Sequence, residues 1–487
     1  MDKKLFQERV KSLSSFSYAR AEAADAFGEA LMNLDDWGLY RINPIRFAKD
    51  HDLDPNEAAD LFICASRIGL FDLTWNLICP ACGGILSATP SISQLNRELF
   101  HCALCNIDVP IILDDYVEIT FTVSPNVHET DINLYENLDS FQRASFSENL
   151  KPSKRMRDAL SGCHVAFSFV NPGEYQTFEF QAKPDTLYRL ASVHVNSAVS
   201  LCIDSSEKNS ENPAIHVHAS QEGFSPQEVQ LHPGQVTLYV HNTCPSPIGV
   251  MIFLADYPVL YKIEKESPPT WAPFLTGKML LNNQAFRSLF KMQDLATNLK
   301  LSVRSLTMLF TDLRGSTEIY DTVGDMRAYQ LIQDHFTILE TSVRKHAGAI
   351  VKTMGDAIMA SFSEPRNGIM AAIDMMDGIR NMTGDGKDEL GLKIGLHEGP
   401  ALTVNNDGRL DYFGQTVNIA ARVQGLAQAE EIWVSESVFN ADGVKTHLLD
   451  NSYGHEAHSV VLKGVGQRAN VYKCRSLTKT EPEQPEL

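Results

Sequence analysis

Two stretches, FTDLRGST (Phe310–Thr317) and VKTMGDAIMASF (Val351–Phe362), decide how this chain is read. Each carries an apolar, strand-like run next to an aspartate, Asp312 and Asp356, at a bend containing glycine. Two carboxylates at adjacent strand ends can hold hard divalent cations, which take oxygen ligands. After Asp312, the turn Gly315-Ser316-Thr317 opens a helix whose free N–H groups and positive dipole end suit phosphate. Metal beside phosphate points to phosphoryl or nucleotidyl transfer.

The surrounding segment, Arg304 to Cys474, reads as strand (SLTMLFTD), helix, longer helix, hairpin, helix, strand (LKIGLHEG), helix and closing strands. Tyr329, Ile332, Phe336, Leu339 and Val343 fall three or four apart and make one apolar helix face. AIVKTM and AIMASF pair around Gly355-Asp356, a natural hairpin tip. This order predicts an α+β fold of ferredoxin-like type.

FTDLRGST, KTMGDA, LDYFGQTVNIAARV and VLKG, in that order, resemble the class III adenylate/guanylate cyclase catalytic domain of adenylate cyclase type, over residues 303–475. The resemblance implies that Asp312, Asp356 and the Leu313 carbonyl bind two Mg²⁺ or Mn²⁺ ions. It implies that the backbone through Gly315, Ser316 and Thr317 cradles the phosphates and that Lys463 contacts the β- and γ-phosphates. Asn418 would orient the ribose, and Arg422 would stabilise charge on the pentavalent phosphorus. These two lie four apart and so share a helix face. Lys352 and Asp411 match the pair that reads the purine. Adenine offers a ring-nitrogen acceptor to an ammonium and an amine donor to a carboxylate. Guanylate cyclases typically carry Glu and Cys there, so ATP is the expected substrate, cyclised to 3′,5′-cyclic AMP and pyrophosphate. The resemblance also implies a homodimer, with each site completed by the partner. The alternatives are a guanylate cyclase or a catalytically degenerate nucleotide-binding module. The segment GPALTVNNDGRLD matches the family's dimerisation arm in a form shorter than the mammalian-like one.

Upstream, Cys79-Pro-Ala-Cys82 and Cys102-Ala-Leu-Cys105 form two knuckles of the kind that close a four-cysteine zinc site. Structural Zn²⁺ is expected, with reduced thiols or a redox pair as the alternative. The chain divides into a helical, winged-helix-like region (1–73), a zinc-ribbon-like segment (74–115) and a connector (116–160). A β-sandwich-like domain (161–265), a helical connector (266–302), the cyclase-like domain (303–475) and a disordered tail (476–487) follow. This arrangement is similar to the N-terminal extension on some bacterial cyclases. His216 and His218 lie on one strand face, as a metal pair or simply as solvated residues.

At 487 residues the chain needs several cores. Its net charge of −19 argues against a nucleic-acid surface, which requires excess Lys and Arg. Nine cysteines with no export signal do not read as a disulfide framework. The N-terminus lacks an apolar signal core, and Val250–Tyr261, interrupted by Asp256, falls well short of the roughly 20 residues of a membrane span. A cytoplasmic protein without membrane segments is therefore expected.

Overall fold

The computed structural model of the chain describes residues 2–95, 99–205, 212–290, 301–315, 324–383, 391–406, 409–462 and 468–477. The helix expected to open at Ser316 and the tail from 478 onward lie outside these residues.

Four helices come first: α1 (Lys3–Leu13), α2 (Ala21–Met32), α3 (Pro44–Asp50) and α4 (Pro55–Arg67). Asp54 caps α4 by accepting the N–H groups of Asn56 and Glu57 at 2.9 and 3.0 Å. Pro55 occupies the first helical position, where an N–H would have no partner within the helix. The chain then forms β1 (Phe71–Ile78), β2 (Ile85–Thr89), a hairpin of β3 (Leu99–Cys102) with β4 (Ile107–Pro110), and β5 (Val117–Val123). β1 lies between β2 and β5 in one antiparallel sheet.

This sheet crosses the boundaries expected from sequence. β1 spans position 73, and β5, expected to begin a connector, is buried along almost its whole length. The reason is physical. VEITFTV alternates apolar Val117, Ile119, Phe121 and Val123 with polar Glu118, Thr120 and Thr122. Its polar face is largely buried as well, with Glu118 meeting Arg41, Ser147 and Asn149 and Thr120 Oγ1 accepting from Asn76.

Between residues 164 and 254 the chain builds a five-stranded and a four-stranded sheet. Their inward side chains, among them Leu190, Val199, Val217, Leu238 and Ile252, form one hydrophobic core. Two short helices follow, α5 (Gly277–Leu281) and α6 (Gln284–Leu289). Residues 266–302 were expected to be a helical connector, yet Leu280, Leu281 and Ala285 are fully buried. These helices are a wedge between larger units rather than a tether.

The C-terminal domain is built on β6 (Leu301–Arg314), and α7 (Asp325–Lys345) packs beside the hairpin β7 (Gly348–Met354) and β8 (Ala357–Phe362). After α8 (Pro365–Thr383) come β9 (Gly391–Asn406), β10 (Arg409–Phe413), α9 (Gln415–Gln424), β11 (Glu431–Ser435), β12 (Tyr453–Val461) and β13 (Arg468–Ser476). The sheet runs β7-β8-β6-β9-β11-β13-β12, and β10 pairs with β9. The strand expected at LKIGLHEG therefore continues through the expected arm segment and turns back as β10.

β6 is covered on both sides. Leu306, Met308 and Phe310 enter the core shared with the N-terminal helices, whereas Leu309 and Leu313 enter the core formed with α7 and α8. This is the two-residue alternation of a strand. It places Asp312 in the row of Met308 and Phe310, where that cover ends.

α9 crosses β9 at glycine. A Cβ at Gly395 would stand 2.1 Å from the Gln424 nitrogen, and one at Gly399 would stand 2.7 Å from Thr416 Oγ1. Backbone cannot yield as a flexible side chain can. Gly395→Ala is thus expected to destabilise the protein by about 1–3 kcal/mol in chemical denaturation, and an unchanged unfolding midpoint would contradict the close crossing.

Candidate active site

Asp312 and Asp356 reach neighbouring positions by strand pairing. Phe310 is opposite Met359 in the β6–β8 ladder, and Thr311 Oγ1 accepts the Ile358 N–H at 2.9 Å one step further on. The ladder then ends, and the β7–β8 turn carries Gly355 at φ 66° with Asp356 beside it. Only a residue without Cβ adopts that backbone conformation at little cost.

Each aspartate has a partner that sequence reading missed. Lys393, directly opposite Asp312 on β9, places Nζ 2.7 Å from Asp312 Oδ2. His335, buried on α7, has Nε2 3.1 Å from the Asp356 carbonyl oxygen. Burial pushes this imidazole below its ordinary pKa and favours the neutral ring, so Nε2–H donates to the carbonyl. The signal for Lys393 was its register, which the sequence does not print. His335 stood in the buried stripe of α7 and could have been noticed there as a titratable residue among apolar ones.

Lys352 and Asp411 come together as a pair, with Nζ 2.8 Å from Oδ2. A β-bulge between Ile350 and Lys352 shifts the β7 register and re-aims the lysine. Asp411 also accepts the Tyr412 N–H at 2.8 Å and lies 3.3 Å from Asn406 Nδ2. Burial raises the Asp411 carboxyl, but the hydrogen bonds from Lys352 and the Tyr412 N–H more than offset it, leaving it below its ordinary value.

Asn418 and Arg422 project from α9, which lies on the same sheet face as Asp312 and Lys393. Asn418 is exposed and Arg422 half-buried, and neither has a polar partner among the described residues. Leu313 is buried, and Gly315 turns the chain at φ 86° just past β6. Ser316, Thr317 and Lys463 lie outside the described residues. Along β9, Asp312 aligns with Lys393 near the start, while Asp411 aligns with Val404 near the end. Asp312 and Asp411 thus align with opposite ends of β9, whereas Lys352, opposite Met359 and through it Phe310, lies within two residues of Asp312 in the register.

A second cluster is formed by the cysteines. The sulfurs of Cys79, Cys82, Cys102 and Cys105 all lie within 4.8 Å of one another, and Cys82 Sγ is 3.8 Å from Cys102 Sγ. Hydrogen bonds from neighbouring thiols hold Cys102 far below the ordinary thiol range. That favours a thiolate, the form that binds metal.

The Asp411 shift has a definite sign in stability. Because its folded pKa is depressed, its ionisation contributes stability above the unfolded value of about 3.9, lost as pH falls through the folded value. Lys352→Met should remove much of this contribution. The difference in unfolding free energy between wild type and variant should be present at neutral pH and shrink below about pH 4. A difference that does not vary with pH would contradict the pairing.

Residues 300–469 match the adenylate and guanylate cyclase catalytic domain, and residues 7–288 match a family of unknown function, DUF5939. The chain is 27% identical over 195 residues to an adenylate cyclase of Anabaena cylindrica, covering 36% of this chain and 38% of that protein. It is 25% identical over 195 residues to guanylate cyclase 32E of Drosophila melanogaster, covering 37% of this chain and 16% of that one. It therefore spans well under half the length of either relative. Among solved structures, the adenylyl cyclase CyaB from P. aeruginosa aligns with TM-score 0.31 and 21% identity, over 39% of this chain and 99% of that one. Among the described residues no helix is long and apolar enough to cross a membrane. The chain belongs to the DUF5939 family and carries at residues 300–469 a catalytic domain of the adenylate and guanylate cyclase type.

Proposed function

We propose that the chain is an adenylate cyclase that converts ATP to 3′,5′-cyclic AMP and pyrophosphate at sites shared across a homodimer. The observation that carries this reading is the Lys352–Asp411 pair at 2.8 Å. An ammonium donor and a carboxylate acceptor stand side by side, matching the acceptor and donor on the edge of adenine.

Asp312 and Asp356 fit a divalent-metal site. Asp312 already holds one cationic group, the Lys393 ammonium, and carboxylate oxygens are the ligands that Mg²⁺ and Mn²⁺ prefer. When bound, two such ions with the Leu313 carbonyl would lower the pKa of the ribose 3′-hydroxyl and neutralise charge on the phosphates. The chain's own groups do the rest. Asn418 orients the ribose so that the 3′-oxygen lines up with the α-phosphorus, and Arg422 meets the charge that develops on the phosphoryl oxygens. The backbone from Gly315 to Thr317 and Lys463 hold the polyphosphate. The 3′-hydroxyl gives its proton to water as O3′ bonds to the α-phosphorus, the bond from that phosphorus to the bridging oxygen breaks, and pyrophosphate leaves with the electron pair.

The homodimer reading rests on placement. Asp312 and Asp411 align with opposite ends of β9, so one chain offers complementary halves of two sites. Met354 and Phe413, large and exposed, lie beside those halves and suit a self-complementary contact.

The cysteine cluster fits structural zinc. A tetrahedral ion with Zn–S bonds of about 2.3 Å requires sulfurs about 3.8 Å apart, and the Cys82–Cys102 separation is 3.8 Å.

Labelled ATP and GTP, each supplied to the purified chain with Mg²⁺ or Mn²⁺, test the activity directly. Cyclic AMP should form in preference to cyclic GMP. Asp312→Ala and Arg422→Ala should each lower turnover at least 10²–10³-fold, about the loss seen for a single preorganised transition-state contact, and near-wild-type rates would defeat the site assignment. The double change Lys352→Glu with Asp411→Cys should weaken the preference for ATP. Elemental analysis should find one zinc per chain, lost in Cys102→Ser; zinc-free wild-type protein would rule out the metal.

A further inference from the structure

The residues that bracket Lys352 and Asp411 are gripped from outside the catalytic domain. Among the described residues β7 is an edge of the sheet, and β10 pairs only with β9. Edge strands carry backbone groups that the ladder does not satisfy. α6 takes one such group from each. Gln284 Oε1 accepts the Ile350 N–H at 2.8 Å, beside the bulge that re-aims Lys352. One turn later, Arg287 Nη2 donates to the Leu410 carbonyl at 2.6 Å. Asn282, just before α6, accepts from the Tyr412 hydroxyl at 3.1 Å, and the Arg287 guanidinium lies 5.7 Å from the centre of the Tyr412 ring. Both neighbours of Asp411 in the chain are therefore held.

α6 is itself fixed to the N-terminal region. Asn283 Nδ2 donates to Asp60 of α4 at 2.6 Å, and Phe286 packs edge-on against Trp75 of β1 at 6.1 Å between ring centres. A small displacement of α6 would move β7 and β10 relative to each other. The Lys352–Asp411 separation would change with them.

We propose that Gln284 and Arg287 are positioning residues that set the spacing of the Lys352–Asp411 pair, making α6 a determinant of purine selectivity governed by the N-terminal region. This rests on the purine-reading role proposed above. It assigns the selectivity of a catalytic-domain pocket partly to side chains that lie before that domain begins.

The test is the ratio of kcat/KM for ATP to that for GTP, measured on the full chain. Arg287→Met keeps the bulk and removes the donor. It should lower the ratio about tenfold, within the usual range of coupling between sites, chiefly through KM for ATP. Gln284→Ala should shift the ratio in the same direction by less, and Arg287→Lys should restore part of the loss. Arg304→Ala removes an exposed interdomain ion pair with Asp115 and should leave the ratio unchanged. If Arg287→Met fails to fold, Gln284→Ala decides the matter. Parallel losses with both nucleotides, or an unchanged ratio in both variants, would overturn the proposal. A preference for ATP that is lost in the Lys352→Glu, Asp411→Cys double variant but intact in both α6 variants would overturn this proposal alone. Wild-type protein with no preference for ATP would overturn the purine assignment together with it.

Discussion

The burial of β6 between two cores is the constraint on which the rest depends. From Leu306 onward its even-numbered apolar side chains share a core with the N-terminal helices, β1, α5 and α6, while Leu309 and Leu313 share one with α7 and α8. A strand covered on both faces cannot slip by one residue, because a slip would exchange both sets of side chains at once. That fixed register places Asp312 opposite Lys393 and leaves it just beyond the cover, half-exposed. The same strand begins against the N-terminal region, where Asp114 accepts the Arg304 N–H at 2.7 Å and pairs with Lys278 at 2.9 Å. The catalytic domain and the region before it therefore share a core.

The charged groups of the site are held by specific contacts. Lys393 fixes one carboxylate, Lys352 fixes another, and His335 ties down the turn that carries a third. Such partners limit the rotamers available to each group, so less ordering remains for the moment when a ligand arrives. Asn418 and Arg422 differ, standing on α9 without polar partners among the described residues. Their position comes from the helix itself, which Gly395 and Gly399 allow to lie close on β9.

Much of this was legible in the sequence. The aspartates at Gly-containing bends, the β7–β8 hairpin, the capped start of α4 and the two cysteine knuckles each depend on residues close together in the chain. Local rules reach such features because turn chemistry and periodicity act over a few residues. The domain boundaries were less legible. β5 fell in the expected connector although its residues alternate, because the groups that bury its polar face, Arg41 and Asn149 among them, lie far off in the chain. The expected helical connector holds α5 and α6, which distant segments bury. Their role comes from what packs on them, which neither length nor periodicity records.

The sequence by itself determined which chemistry the chain can offer: two carboxylates at bends, an ammonium and a carboxylate suited to adenine, an asparagine and an arginine on one helix face, and four thiols in two knuckles. Tertiary structure decided which of these groups meet. Lys352 and Asp411 are far apart in the chain, and their separation of 2.8 Å depends on a bulge in β7 and on the return of β10. Lys393, His335, Gln284 and Arg287 carry no motif of their own. They matter because packing sets them against the backbone or carboxylates of the site, and such contacts between distant segments exist only once the cores have closed.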